Sequence, residues 1–191
     1  MNVLIVLFDD VEVLDFAGPF EVFSVTGRQR KEKPFKVITC AEKSPVIARN
    51  GLSINTTHSL ENAPDAEILV IPGGWGTRTQ LKNQALLSWI RQRADKAQFV
   101  VSVCTGSLIL AAAGLLNGCE ATTHHGAFTE LRALAPGVVV REDKRVIDLG
   151  KIITSGGISA GIDMAFHLVA RLLGEAEAHE TAAYMEYRWT R

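Results

Sequence analysis

The chain has 191 residues, 47% of them hydrophobic and 21% charged, with a formal net charge of -1. That size and composition suit one domain with a sizeable core, and so even a charge balance gives no electrostatic case for binding nucleic acid or an anionic membrane. Residues 1–16 carry no basic segment and no small-residue cleavage site, and the apolar run breaks at Asp9 and Asp10, far short of a membrane span. Three cysteines, Cys40, Cys104 and Cys119, make no even disulfide framework; they read as free thiols of a reducing, cytoplasmic compartment.

Residues 3–7 (Val-Leu-Ile-Val-Leu) form a continuous branched apolar run, which predicts a strand buried on both faces. A helix is predicted over 18–28, with Pro19 in its first turn. Strands follow at 35–40 and 67–71, the latter stopped by Pro72-Gly73-Gly74. Residues 80–94 read as an amphipathic helix with Leu81, Ala85, Trp89 and Ala94 on or near one stripe. The strand at 99–103 runs into Cys104, and a helix is predicted over 105–113. Beyond it come a strand at 120–123, a helix at 127–134 and strands at 138–141, 146–149 and 152–154. The last two make a hairpin around Gly150-Lys151. Helices at 159–173 and 175–187 complete the chain. No linker, repeat or low-complexity tract divides it, so residues 1–191 read as a single domain. The alternation implies a mainly parallel sheet covered on both faces. Ligands of such sheets sit at the carboxyl ends of strands, which directs attention to Asp15, Gly73-Gly74, Cys104 and Gly156-Gly157.

The strongest local signal is Ser102-Val103-Cys104-Thr105-Gly106. An apolar strand ends, a nucleophile follows and a helix begins at once, with small residues at 102 and 106 permitting a tight turn. This is the pattern of a nucleophile elbow with cysteine in place of serine. A helix N-terminus there would favour the thiolate and lower the thiol pKa; the competing reading is a small buried hydrophobe. Gly73 and Gly74 after a strand are either backbone N–H donors for an oxyanion or a simple turn. Asp15, in Leu14-Asp15-Phe16-Ala17-Gly18-Pro19, is either a helix N-cap or a buried acid with a raised pKa. His124 is either the partner of a cysteine or a structural histidine bonded to backbone. Trp75 either covers a pocket or merely packs. No His or Cys spacing suggests a metal site, and Gly73-Gly74-Trp75-Gly76 lacks the Lys-Ser/Thr of a phosphate loop; no cofactor is implied.

Taken in order, Leu14-Asp15-Phe16-Ala17-Gly18-Pro19, Ile71-Pro72-Gly73-Gly74, Cys104-Thr105-Gly106, Ala121-Thr122-Thr123-His124 and Ser155-Gly156-Gly157-Ile158-Ser159-Ala160-Gly161-Ile162-Asp163 resemble the ThiJ/PfpI superfamily across essentially the whole chain. That superfamily shares its fold with class I glutamine amidotransferases. The resemblance is closest to its isocyanide hydratase branch, through the Leu-Asp-x-x-Gly-Pro stretch and Cys-Thr-Gly. It implies a flavodoxin-like three-layer α/β/α sandwich, a homodimer, and an Asp15 side chain close to the Cys104 sulfur. The protease branch has His directly after the cysteine, where this chain has Thr105. Branches with glyoxalase or antioxidant roles usually have Glu at the position of Asp15. Glutamine amidotransferases carry a His-x-Glu pair that is missing here. His125 stands where the hydratases carry Trp, so the pocket is expected to differ in shape or polarity.

The resemblance and the elbow together imply a cysteine-dependent hydratase or hydrolase of a small molecule. Cys104 would be the nucleophile and Asp15 the acid and base, with Gly73, Gly74, Thr105 and Ile158 for developing charge and substrate. The favoured reaction is isocyanide hydration to an N-substituted formamide. Two alternatives stand beside it: a redox or stress-responsive cysteine protein, and a ligand-sensing domain like that of AraC-type regulators. Neither nucleic acid nor membrane is expected as a partner.

Overall fold

The computed structural model of the chain describes residues 1–190. Its strands are β1 (Asn2–Val6), β2 (Lys36–Ala41), β3 (Val46–Ile47), β4 (Ser53–Ile54), β5 (His58–Ser59), β6 (Ile68–Ile71), β7 (Phe99–Val103), β8 (Glu120–Ala121), β9 (Val139–Val140), β10 (Val146–Asp148) and β11 (Ile152–Ser155). Its helices are α1 (Val13–Val25), α2 (Thr77–Gln80), α3 (Gln84–Lys96), α4 (Gly106–Ala112), α5 (Phe128–Leu134), α6 (Ala160–Leu173) and α7 (Glu175–Tyr184).

Seven strands form one sheet in the order β10-β11-β7-β6-β1-β2-β5. All pairings are parallel except the β10–β11 hairpin at the edge. The centre follows from composition. Leu4 pairs with Ile38 on one side and Leu69 on the other, and every residue of β6 and β7 is buried. Strands without a polar face must be covered twice. Helices do this: α1 packs on α6 and α6 on α7, while α4 packs against α2 and α5. The result is the expected flavodoxin-like α/β/α sandwich. No helix among the described residues is long and apolar enough to cross a membrane.

Several expectations shift. Helix α1 begins at Val13, not at 18, and Pro19 lies inside it. Proline has no N–H to return to the carbonyl four residues back, so the Asp15 carbonyl lacks its usual helical donor. The helix predicted over 80–94 is two helices. Asn83 caps α3, its side chain accepting the Leu86 N–H at 3.1 Å, and this restart changes the phase. The buried stripe is Leu86, Leu87, Ile90 and Ala94; Ala85 is exposed and Leu81 and Trp89 are half-buried. The strand predicted over 120–123 is only β8, which leaves the main sheet to pair with β9. Strands β3, β4 and β5 have two residues each, too few to display a period.

Candidate active site

Cys104 follows β7 by one residue and has φ of 56°, the left-handed region that costs a side-chain-bearing residue conformational energy. Local bonds hold it there. Its N–H donates to the Ser155 and Gly156 carbonyls at 3.2 and 3.0 Å. Its own carbonyl accepts the Thr123 and Ser107 hydroxyls at 2.9 and 3.2 Å. The strand-to-helix turn expected from the sequence is therefore present, with the sulfur lifted out of the sheet toward a pocket.

Asp15 is fully buried and sits in the first turn of α1, where Glu12 occupies the N-cap position without a side-chain cap bond. The N-cap reading of Asp15 falls, and the buried-acid reading stands. Its Oδ2 accepts the Gly73 N–H at 3.0 Å and its Oδ1 the Ile158 N–H at 3.1 Å. It also hydrogen-bonds the Cys104 thiol. Burial raises its pKa to about 7, against the thiol and the two amides, which lower it. A carboxyl poised near neutrality can both hold and release a proton.

The same burial corrects the expected low thiol pKa. Desolvation pushes Cys104 up to about 12, and the Asp15 charge adds to it; the Thr105 N–H and hydroxyl facing the sulfur only partly oppose this. The two groups act as a coupled pair. Below about pH 7 both are neutral; above it, the pair carries one charge and one proton.

Gly73 and Gly74 need a second correction, because their N–H groups are not free for an oxyanion. Gly73 donates to Asp15, and Gly74 donates to Thr105 Oγ1 at 3.0 Å. These glycines hold the acid and the threonine in place. A Cβ on Gly73 would lie 2.5 Å from the Thr105 nitrogen and 2.8 Å from Asp15 Oδ2, so only glycine allows the three segments to meet. Thr105 Oγ1 in turn donates to the Gly74 carbonyl at 3.1 Å. Ile158 spends its N–H on Asp15, and at φ of 56° it is a β-branched residue in the left-handed region. Its side chain is exposed and lines the pocket.

The pocket has a volume of about 220 Å³. Cys104 and Thr105 lie in it with Glu12, Gly74, Trp75, Arg78, His124, Gly126, Ala127 and Ile158. Trp75 is 63% exposed and flanked by Arg78, whose guanidinium carbon lies 5.1 Å from the ring centre; the covering role for Trp75 fits better than packing. Arg78 pairs with Glu130 at 2.6 Å. His124 Nδ1 accepts the Gly126 N–H at 3.1 Å, which leaves any ring proton on Nε2. Burial, His125 and Arg78 lower its pKa. His124 is thus a neutral, backbone-bonded wall of the pocket. His125 packs against it, the rings tilted by 33° with centres 4.2 Å apart, but lines the neighbouring cleft, not the Cys104 pocket. Sequence reasoning missed Glu12 and Arg78. The only signal was the placement of Arg78 one turn after Trp75 beyond the glycine turn.

A cysteine on a strained turn at the carboxyl end of a parallel sheet, hydrogen-bonded to a buried carboxyl, defines a cysteine-elbow α/β protein. The chain matches the DJ-1/PfpI family over residues 1–171 and belongs to that family. It is 36% identical over 181 residues to the isonitrile hydratase of Pseudomonas putida, covering 95% of this chain and 76% of that one. It is 30% identical to the HTH-type transcriptional regulator CdhR of Pseudomonas aeruginosa, over 88% of this chain but only 49% of the regulator. The crystal structure of a ThiJ/PfpI family protein from Pseudomonas syringae superposes with a TM-score of 0.88 at 29% identity, covering 100% of this chain and 76% of that one.

Proposed function

We propose that the protein hydrates small isocyanides to N-substituted formamides through Cys104. The observation that carries this reading is the Cys104–Asp15 hydrogen bond, in which burial brings the carboxyl to about pH 7 beside the nucleophile. The similarity to an isonitrile hydratase supports it.

Each step follows from the pair. Because the thiol is neutral at rest, ionised Asp15 takes its proton as the sulfur attacks the terminal carbon of R–N≡C. A carbon–sulfur bond forms, and the protonated carboxyl returns the proton to that carbon. The product is a thioimidate, R–N=CH–S–Cys104, with Asp15 ionised again. Asp15 then takes a proton from water as the oxygen adds to the same carbon, and passes it to nitrogen. The carbon–sulfur bond breaks, the hydroxyl proton passes to sulfur, and R–NH–CHO leaves. One water is consumed, and the thiol and carboxylate are restored. The Thr105 N–H, which already faces the sulfur, stabilises the charge on it during attack and departure. The pocket admits a small substrate body between Trp75 and Ile158.

The test is turnover of a simple aryl isocyanide by the purified protein, following formamide appearance, with Cys104→Ala alongside. Cysteine-dependent formamide formation supports the reading. Absence of turnover by protein with an intact, titratable thiol overturns it. Binding of the isocyanide without turnover would move the weight to ligand sensing.

A further inference from the structure

A second cavity lies at the carboxyl ends of β1 and β2 and shares no lining residue with the Cys104 pocket. Its volume is about 420 Å³, within the range of small-molecule sites. Phe8, Val46 and Leu86, all buried, give it an apolar floor. The decisive residue is Gln80, at the end of α2, only 8% exposed yet lining the cavity.

The hydrogen bonds around Gln80 assign its amide. Asn83 Oδ1 is committed to the Leu86 N–H as the cap of α3. Asn83 Nδ2 must therefore be the donor, and it donates to Glu42 Oε2 at 2.9 Å and to Gln80 Oε1 at 3.1 Å. That fixes the Gln80 oxygen as acceptor. Its NH₂ group then has no protein partner among the described residues, although the side chain is more than nine-tenths buried. That donor has no protein acceptor, and the cavity it lines is where one would come from. The rim adds a charge preference: Asp9, Asp10 and Glu42 face it against a single cation, Lys43, which already pairs with Asp9 at 2.6 Å.

We propose that this cavity binds a small uncharged or cationic molecule whose carbonyl or equivalent acceptor takes the Gln80 amide hydrogens while its apolar part rests on Phe8, Val46 and Leu86. The site does not depend on the reaction assigned to Cys104. The carboxylate rim disfavours anions, because a negative ligand would enter beside like charges with no free cation among the described lining residues to meet it.

The experiment is a titration of the ¹⁵N-labelled protein with benzamide, which has one carbonyl acceptor on an apolar ring, and with benzoate as its anionic counterpart. Benzamide should shift the amides of residues 7–10, 41–43 and 79–83 with Kd of about 1 mM or tighter. Benzoate should bind at least about tenfold more weakly. Gln80→Met keeps the volume and removes the donor, and should weaken benzamide about tenfold. Thr79→Trp, at an exposed rim position, should close the mouth and abolish the shifts without touching the core. The proposal is overturned if benzamide leaves these amides unmoved, if it shifts only those around Cys104, if benzoate binds equally well, or if a folded Gln80→Met variant binds undiminished.

Discussion

Cys40 and Cys104 both lie at the carboxyl ends of central parallel strands, and burial pushes both thiols up to about 12. Acidity therefore does not distinguish them; position does. Cys40 is still within the β2 ladder, paired with Val6 and His58 and fully buried. Arg93 opposes that burial only in part. Cys104 has left its ladder by one residue, turned to φ of 56°, and met a carboxyl group and a pocket. The proposed nucleophile thus differs from the structural cysteine in having a proton acceptor at its sulfur and an open path to it.

The comparison breaks first at Cys104 itself. Cys104→Ala should lower isocyanide turnover at least about 10³-fold, with circular dichroism unchanged. If Asp15 supplies the difference between the two cysteines, Asp15→Asn should cost about 10²–10⁴-fold in kcat, because it removes the proton acceptor and keeps the shape. Near-full activity in that variant would remove Asp15 from the chemistry.

Positioning comes next. Gly73→Ala places a methyl group against Thr105 and Asp15. It should lower kcat by about tenfold or more through displacement of the acid, while Cys104 still titrates with a thiol reagent.

The Asp15 environment also leaves a signature in stability. Its carboxyl rises from an ordinary 3.8 to about 7 on folding, so the folded state binds this proton more tightly than the unfolded state does. The associated stability is complete below about pH 3.8 and lost as pH rises to about 7, on the order of 4 kcal/mol in all. Denaturant melts across this window should show wild type losing stability relative to Asp15→Asn as pH rises; parallel curves would mean the carboxyl is not buried as described. The smallest catalytic effect belongs to the other cysteine. Cys40→Ala should leave turnover within about twofold and cost about 1 kcal/mol of stability from lost packing.

The local sequence was sufficient for the elements whose information is local. Continuous branched runs marked β1, β6 and β7, because a strand with no polar face must lie inside a sheet. The small residues around Cys104 marked the elbow, because a tight strand-to-helix turn leaves no room for larger ones. Family motifs in register placed Asp15 near the sulfur. Tertiary structure alone decided the rest. It started α1 five residues early and made Asp15 a buried acid within it. It gave the Gly73 and Gly74 N–H groups to Asp15 and Thr105, and brought Glu12 and Arg78 to the pocket wall. It also reversed the expected direction of the Cys104 pKa. Each of these depends on which distant segment supplies a hydrogen-bond partner or excludes water. Periodicity along the chain reports which face is apolar, but desolvation and partner choice are set by residues far apart in sequence and adjacent only after folding.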